Sequence, residues 1–247
     1  MTKHSFCPLA GGKPTRLHRA AEAGHIDQVA ELLRQGFGIN VRDSNKATPL
    51  HRAAAAGQVA AIQVLVQHGA NLEARDSGGD TPLADAALNG QVEACKELLA
   101  LGAILNHDND SLMEAAGAAK VQQAWGFRAN FQTATPLHRA AQAGQVAVIR
   151  FLAQHGAILE ARDSDGDSPL AVAALNGHAQ ACKELMALGA SRDTLLDRRM
   201  SLLKAAAEAD DVEAIRVLVQ LGADVREQDE SDGQTALHVA AEWGAAA

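Results

Sequence analysis

Ten histidines, three cysteines and several clustered aspartates are the side chains in this chain that could do chemistry, and their spacing decides whether they do. His18, His51, His138 and His238 each occupy the same place in a recurring T-x-L-H-x-A-A sequence. Metal ligands must converge within about 2 Å of one ion, whereas side chains placed once per packed helix stand about 8–10 Å apart. These four imidazoles are therefore expected to hold a turn by hydrogen bonding through their two ring nitrogens. His68 and His155 recur in QHGA, where a partly positive ring suits a helix C-terminus. His25 and His178 follow a helix-ending glycine and are expected at the surface. No histidine is set against a Ser or Cys nucleophile outside the repeated sequence, so no catalytic residue is expected.

Cys95 and Cys182 occupy the same position in two copies of ACKEL, among apolar neighbours at helical spacing, and read as buried thiols. Cys7, near the start, is the one cysteine expected to react. The loops DSGGD (76–80), DSDGD (163–167) and HDND (107–110) lack the spacing and closing Glu of a calcium loop, and read instead as tight turns. Gly11 and Gly12 before Lys13 do not have the spacing of a phosphate loop. No metal and no cofactor are expected.

The chain has 247 residues, 22 basic against 30 acidic side chains and a net charge of −8, the wrong sign for nucleic acid or an anionic membrane. An odd, sparse set of cysteines specifies no disulfide framework, and no apolar run approaches 18 residues. The start, MTKHSFCPLAGGKP, lacks an apolar export segment, so a reducing, cytoplasmic location is expected. Fifteen Arg against seven Lys, with heavy use of alanine, hint at a GC-rich and bacterial source. Alanine contributes 53 residues, aromatics 3% and tyrosine none. Such a composition suits thin layers of closely packed short helices rather than one large core.

The elements that carry these residues repeat. TRLHRAAEAG, TPLHRAAAAG, TPLADAALNG, TPLHRAAQAG, SPLAVAALNG and TALHVAAEWG begin at residues 15, 48, 81, 135, 168 and 235. Weaker copies begin at Ser111, in a shortened unit, and at Ser201; the unit starting at 235 is incomplete. Residues 1–14 form a leader and 15–247 a single repeat domain. In each unit Thr or Ser caps a helix, Pro fits its first turn, an Ala pair offers a close-packing face and Gly ends it. A second amphipathic helix follows, as in VAAIQVLVQHGA (59–70), and then a turn-forming loop. One unit cannot bury its apolar face alone, so the units must stack.

The period of 33 residues, TPLHxAA, the mid-unit glycine and LLxxGAxxxxxD together resemble the ankyrin repeat, over about residues 15–244. The resemblance implies a mainly α solenoid of stacked helix-turn-helix units with β-hairpin-like finger loops. It also implies partner binding along the fingers and the concave inner-helix face. The positions carried over from the family pattern are Arg19, Glu22, Ser44, Asn45, Arg52, Ser77, Gly78, Asp85, Leu88, Asn89, Arg139, Gln142, Ser164, Asp165 and Val172. Arg19 and Arg52, on adjacent units, would form a basic spot for a partner's carboxylates; the other reading is that they pair with Glu22 or neighbouring acids.

A longer period overlies the first: residues 48–102 and 135–189 match at 42 of 55 positions. The three-unit block reads as duplicated whole, giving two similar half-surfaces. The short fourth unit holds Trp125, Phe127 and Phe131, three of seven aromatics. They either plug the volume left by a truncated helix, the favoured reading, or form a partner hot spot. The final unit stops after one helix, which points to a chain cut from a longer protein or an end covered by a partner. The expected function is a non-enzymatic scaffold binding protein partners, not nucleic acid or membrane. The alternative is a targeting or regulatory segment of a larger enzyme or secreted effector.

Overall fold

A computed structural model describes residues 14–106, 134–191 and, with gaps, 203–243. The Cys7 leader, the HDND loop, the unit begun at Ser111 and the Trp125, Phe127 and Phe131 segment lie outside the described residues, as does the side chain of Trp243. The chain divides into two compact units, Met1–Gly126 and Phe127–Ala247.

In the first, three helix pairs follow one another: α1 (Arg16–Glu22) and α2 (Ile26–Arg34), α3 (Pro49–Ala55) and α4 (Val59–Gln67), α5 (Pro82–Leu88) and α6 (Val92–Ala100). In the second are α7 (Pro136–Gln142) and α8 (Val146–Gln154), then α9 (Pro169–Leu175) and α10 (Ala179–Ala187). Residues 203–204 and 206–207 are also helical there, followed by α11 (Val212–Gln220) and α12 (Ala236–Trp243). Helices of seven and nine residues are too short to persist in isolation. Each is held by neighbours: α1 packs on α3 and α3 on α5, while α2, α4 and α6 form a second row. In the second unit α7 packs on α9, and α8 on α10.

The core repeats with the sequence. Leu17, Leu50 and Leu83 are buried at one position of the inner helices, and Leu137 and Leu170 at the same position in the second unit. The Ala pairs 20–21, 53–54, 86–87, 140–141 and 173–174 are also buried, and their small side chains let helix axes approach closely. Leu32, Leu65 and Leu98 fill the outer row. A mid-unit glycine with positive φ turns the chain between paired helices, as at Gly57 (φ 70°) and Gly144 (φ 65°). A Cβ at Gly57 would press on the end of the Gln91 side chain, which can give way, so it is the positive φ that demands glycine there.

Three of the motif histidines, His18, His51 and His138, are buried and stitch unit to unit, whereas His238 is exposed and its Nδ1 accepts the Thr235 N–H within its own turn. Nδ1 of His51 accepts the Thr48 N–H at 3.0 Å, which places the proton on Nε2, and Nε2–H donates to Asp80 O at 3.1 Å. His18 reaches Ala47 O at 3.0 Å and His138 reaches Asp167 O at 2.9 Å in the same way. Burial drives the pKa of all three below the usual imidazole value, against the pull of the carbonyl they contact. Where alanine replaces histidine, Thr81 and Ser168 cap the helix through Ala84 N–H and Ala171 N–H. His25 is exposed as expected, but His178 is not merely a surface residue. It donates from Nε2 to Gln142 O at 2.9 Å, and its ring fills the space beside Gly144. The sequence reading missed this because the equivalent positions carry Gln58 and Gln91.

Candidate functional site

The finger loops are built on one aspartate each. Asp43 Oδ1 accepts the N–H groups of Asn45 and Ala47 at 2.9 and 3.0 Å. Asp76 Oδ1 does the same for Gly78 and Asp80 at 2.8 and 2.9 Å, and Asp163 Oδ1 for Asp165 and Asp167 at 3.0 and 2.8 Å. The backbone closes each hairpin, with Asp43 N–H on Ala47 O, Asp76 N–H on Asp80 O and Asp163 N–H on Asp167 O. These aspartates form turns, as read for DSGGD and DSDGD. The left-handed tip position falls on Gly79 and Gly166 in two fingers and on Lys46 (φ 59°) in the first. Ser77 N–H donates to Asn45 O at 2.8 Å, joining two successive fingers.

Inner-helix positions face these fingers, and one of them is Arg19, Arg52 and Arg139 in three copies but Asp85 and Val172 in two others. Arg52, in α3, donates from Nε to Asp43 Oδ2 at 3.1 Å and also from Nη2 to the same oxygen. Burial would raise the Asp43 carboxyl, but the Arg52 guanidinium and the N–H groups of Asn45 and Ala47 outweigh it and hold the pKa below the usual carboxylate range. Arg52 is therefore not a free member of a basic spot. Of the two readings, pairing with an acid holds for it, through Asp43 rather than Glu22. Sequence reasoning passed over Asp43, although its place in the recurring RDS at 42–44, 75–77 and 162–164 was a signal for it. One repeat on, Asp85 in α5 takes the place of Arg52, and Asp76, Asp80 and Asp85 bring carboxylate oxygens within 4.8 Å of one another. In the second unit the position is Val172, half-buried in α9.

Five positions taken from the sequence, Glu22, Asn45, Arg52, Asp85 and Asn89, line one groove of about 340 Å³ in the first unit, with Ala47, Ala55, Ala56 and Asp76. Glu22 and Asp85 lie close enough to Arg52 to act on it electrostatically. Asn89 Nδ2 donates to Asp85 O at 2.8 Å. Arg19, Ser44 and Ser77 are exposed and Leu88 is half-buried, but none of them lines the groove. In the second unit Arg139 donates to Gln142 Oε1 at 2.9 Å, a side chain that stands where the first unit has Ala55. Ser164 and Asp165 are exposed on its finger. Cys95 and Cys182 are buried, and burial pushes both thiols up to about 12, far from reactive thiolates. No described helix is long and apolar enough to cross a membrane.

Stacked helix pairs with projecting turn loops define a repeat protein. Family models for ankyrin repeats match residues 17–109, 112–194 and 203–246, and the chain belongs to the ankyrin-repeat family. The human ASB11 ankyrin repeat domain superposes with a TM-score of 0.63 at 26% identity, covering 92% of this chain and 91% of that one. A homologue of transient receptor potential cation channel subfamily A member 1 from Caenorhabditis elegans is 34% identical over 111 residues. That stretch is 44% of this chain and 9% of the channel homologue, so the match covers only a small part of that protein. Ankyrin repeats serve in general as protein-interaction modules.

Proposed function

We propose that this chain is a non-enzymatic scaffold that binds a protein partner along its fingers and inner helices, with the groove of the first unit as the principal contact. The observation that carries this reading is the gathering of Glu22, Asn45, Arg52, Asp85 and Asn89, from two inner helices, one finger and the end of α1, around a single concavity. Buried Leu and Ala residues fix the helices, so the groove is held ready and little ordering cost falls on binding. Affinity capture from source-cell lysate tests it, comparing the parent chain with Asn89→Arg, a change at an exposed position on the rim. A protein retained by the parent and lost by a variant of equal melting temperature is expected; identical capture by both, or none by either, refutes it.

A second reading, that the repeats are a targeting or regulatory segment of a longer protein, draws support from the channel homologue, where the similar stretch is 9% of the whole. It leaves the groove's role unchanged and differs in what binding would control.

A further inference from the structure

Three exposed cations stand on and beside the first finger, and each departs from what its counterparts do elsewhere in the repeat. Arg19 in α1 corresponds to Arg52, which pairs with Asp43, and to Arg139, which donates to Gln142. Arg42 corresponds to Arg75 and Arg162, which brace their own fingers by donating to Gly79 O at 2.8 Å and Gly166 O at 3.0 Å. Lys46 corresponds to Gly79 and Gly166. Among the described residues it is the one non-glycine with positive φ (59°), a conformation that glycine adopts freely and other side chains disfavour. The turn asks for glycine at this tip, and the sequence places a charge there. Among the described residues the side chains of Arg19, Arg42 and Lys46 form no hydrogen bond or ion pair. His18 ties α1 to the finger through Ala47 O at 3.0 Å; Arg19 follows His18 in the chain as Lys46 precedes Ala47. The finger's own acid, Asp43, is buried and held by Arg52, and Glu22 lies on the groove beside Arg52. Residues 1–56 carry eight Lys and Arg against four Asp and Glu, in a chain whose net charge is −8.

We infer that the first finger and the part of α1 beside it dock an acidic, extended segment of a partner protein, whose Asp or Glu side chains meet Lys46, Arg42 and Arg19. This rests on the scaffold reading and names the chemistry of its partner; Asn45, next to Lys46, belongs to both the finger and the groove wall. A guanidinium not engaged within the protein offers a carboxylate two parallel hydrogen bonds. Lys46 at the tip adds a point charge that favours encounter with an acidic partner. Carboxylates on a peptide fit better than the phosphates of nucleic acid, because three cations on one finger are few for a phosphate backbone and the chain as a whole is acidic. The fingers at 76–80 and 163–167 do not share the preference: glycine stands at their tips, and Arg75 and Arg162 are bound to their own loops.

The test selects binders from a displayed library of random linear peptides against the full chain at low salt. Selected peptides are then made and their affinities measured by fluorescence anisotropy. Three proteins are compared: the parent, Arg19→Gln/Arg42→Gln/Lys46→Gly, and the charge-matched control Arg34→Gln/Lys96→Gln/Arg216→Gln, whose changes lie on α2, α6 and α11. Enrichment of Asp or Glu, with binding roughly tenfold or more weaker in the finger variant and unchanged in the control, is the expected result. Lys46→Gly alone, which installs the residue of the other fingers, keeps the test valid should the triple variant melt early. It is expected to bind several-fold more weakly while melting no lower than the parent. Selected peptides without enrichment of Asp or Glu, or equal binding to finger variant and control, overturn the inference and leave the scaffold reading standing. A single-stranded oligonucleotide bound more tightly than every selected peptide at the same salt overturns it in favour of nucleic acid. Self-association of the parent in sedimentation velocity, lost in the finger variant, overturns it in favour of a second copy of this chain. A selection that enriches nothing overturns both the inference and the scaffold reading.

Discussion

The Asp43–Arg52 pair offers a direct measure of how much one finger depends on its inner helix. Asp43 is 1% exposed and its carboxylate takes two backbone N–H groups and the Arg52 guanidinium. Arg52→Met keeps much of the side-chain stem and removes the cation. Breaking a fully buried pair costs about 3–5 kcal/mol, but the Arg52 side chain is 29% exposed and solvent screens part of the interaction. About 2 kcal/mol is the expected loss, which lowers the melting temperature by roughly 4–8 °C in a chain of this size. Asp43→Asn removes the other half, and the double variant completes a thermodynamic cycle. The assay is urea unfolding followed by far-ultraviolet circular dichroism at pH 7, with the slope checked so that local and global unfolding are told apart. A coupling of about 1–2 kcal/mol is expected. The pH dependence gives a second readout. A carboxyl held below its unfolded value contributes stability that is present above about pH 3.9 and is lost as pH falls through its folded pKa. In Arg52→Met burial acts on Asp43 unopposed by the cation, so the variant's deficit shrinks as pH falls towards 4. A coupling within about 0.5 kcal/mol of zero, or a deficit independent of pH, refutes the assignment.

Three further outcomes follow from the packing. His18, His51 and His138 have folded pKa values below 6.5, so the unfolded chain binds more protons and stability drops as pH falls from about 6.5 through the folded values; urea midpoints at pH 8 and pH 5 measure this, and His51→Gln reduces the difference. Gly144→Ala destabilises by about 1–3 kcal/mol, because φ is 65° and the new Cβ meets the His178 ring at 2.8 Å; a melt indistinguishable from the parent's contradicts it. Cys95 and Cys182 resist a thiol reagent until the chain unfolds, so at most the remaining cysteine reacts in the native protein, and fast native labelling at either position is the contrary result.

The sequence by itself determined the repeat, its helices and its core. TP opens α3, α5 and α7 because Thr and Pro satisfy a helix start locally, and Gly57 and Gly144 end the first helix of a unit because glycine tolerates the positive φ of the turn. Leu50 and the Ala53–Ala54 pair were legible as core because their spacing is periodic, and periodicity survives without knowledge of neighbours. Local chemistry likewise marked Asp76 and Asp163 as turn formers. What the tertiary structure alone decided is which charges meet. Arg52 and Asp43 are nine residues apart and lie on different elements, and a list of acids near a basic residue does not say which one the finger aims at it. His178 became a contact between units only because the preceding unit leaves space at Gly144. Asp85 reads in sequence as one more polar surface residue. The stacking of one finger against one helix places it beside Asp76, and electrostatic energy depends on that distance rather than on position along the chain.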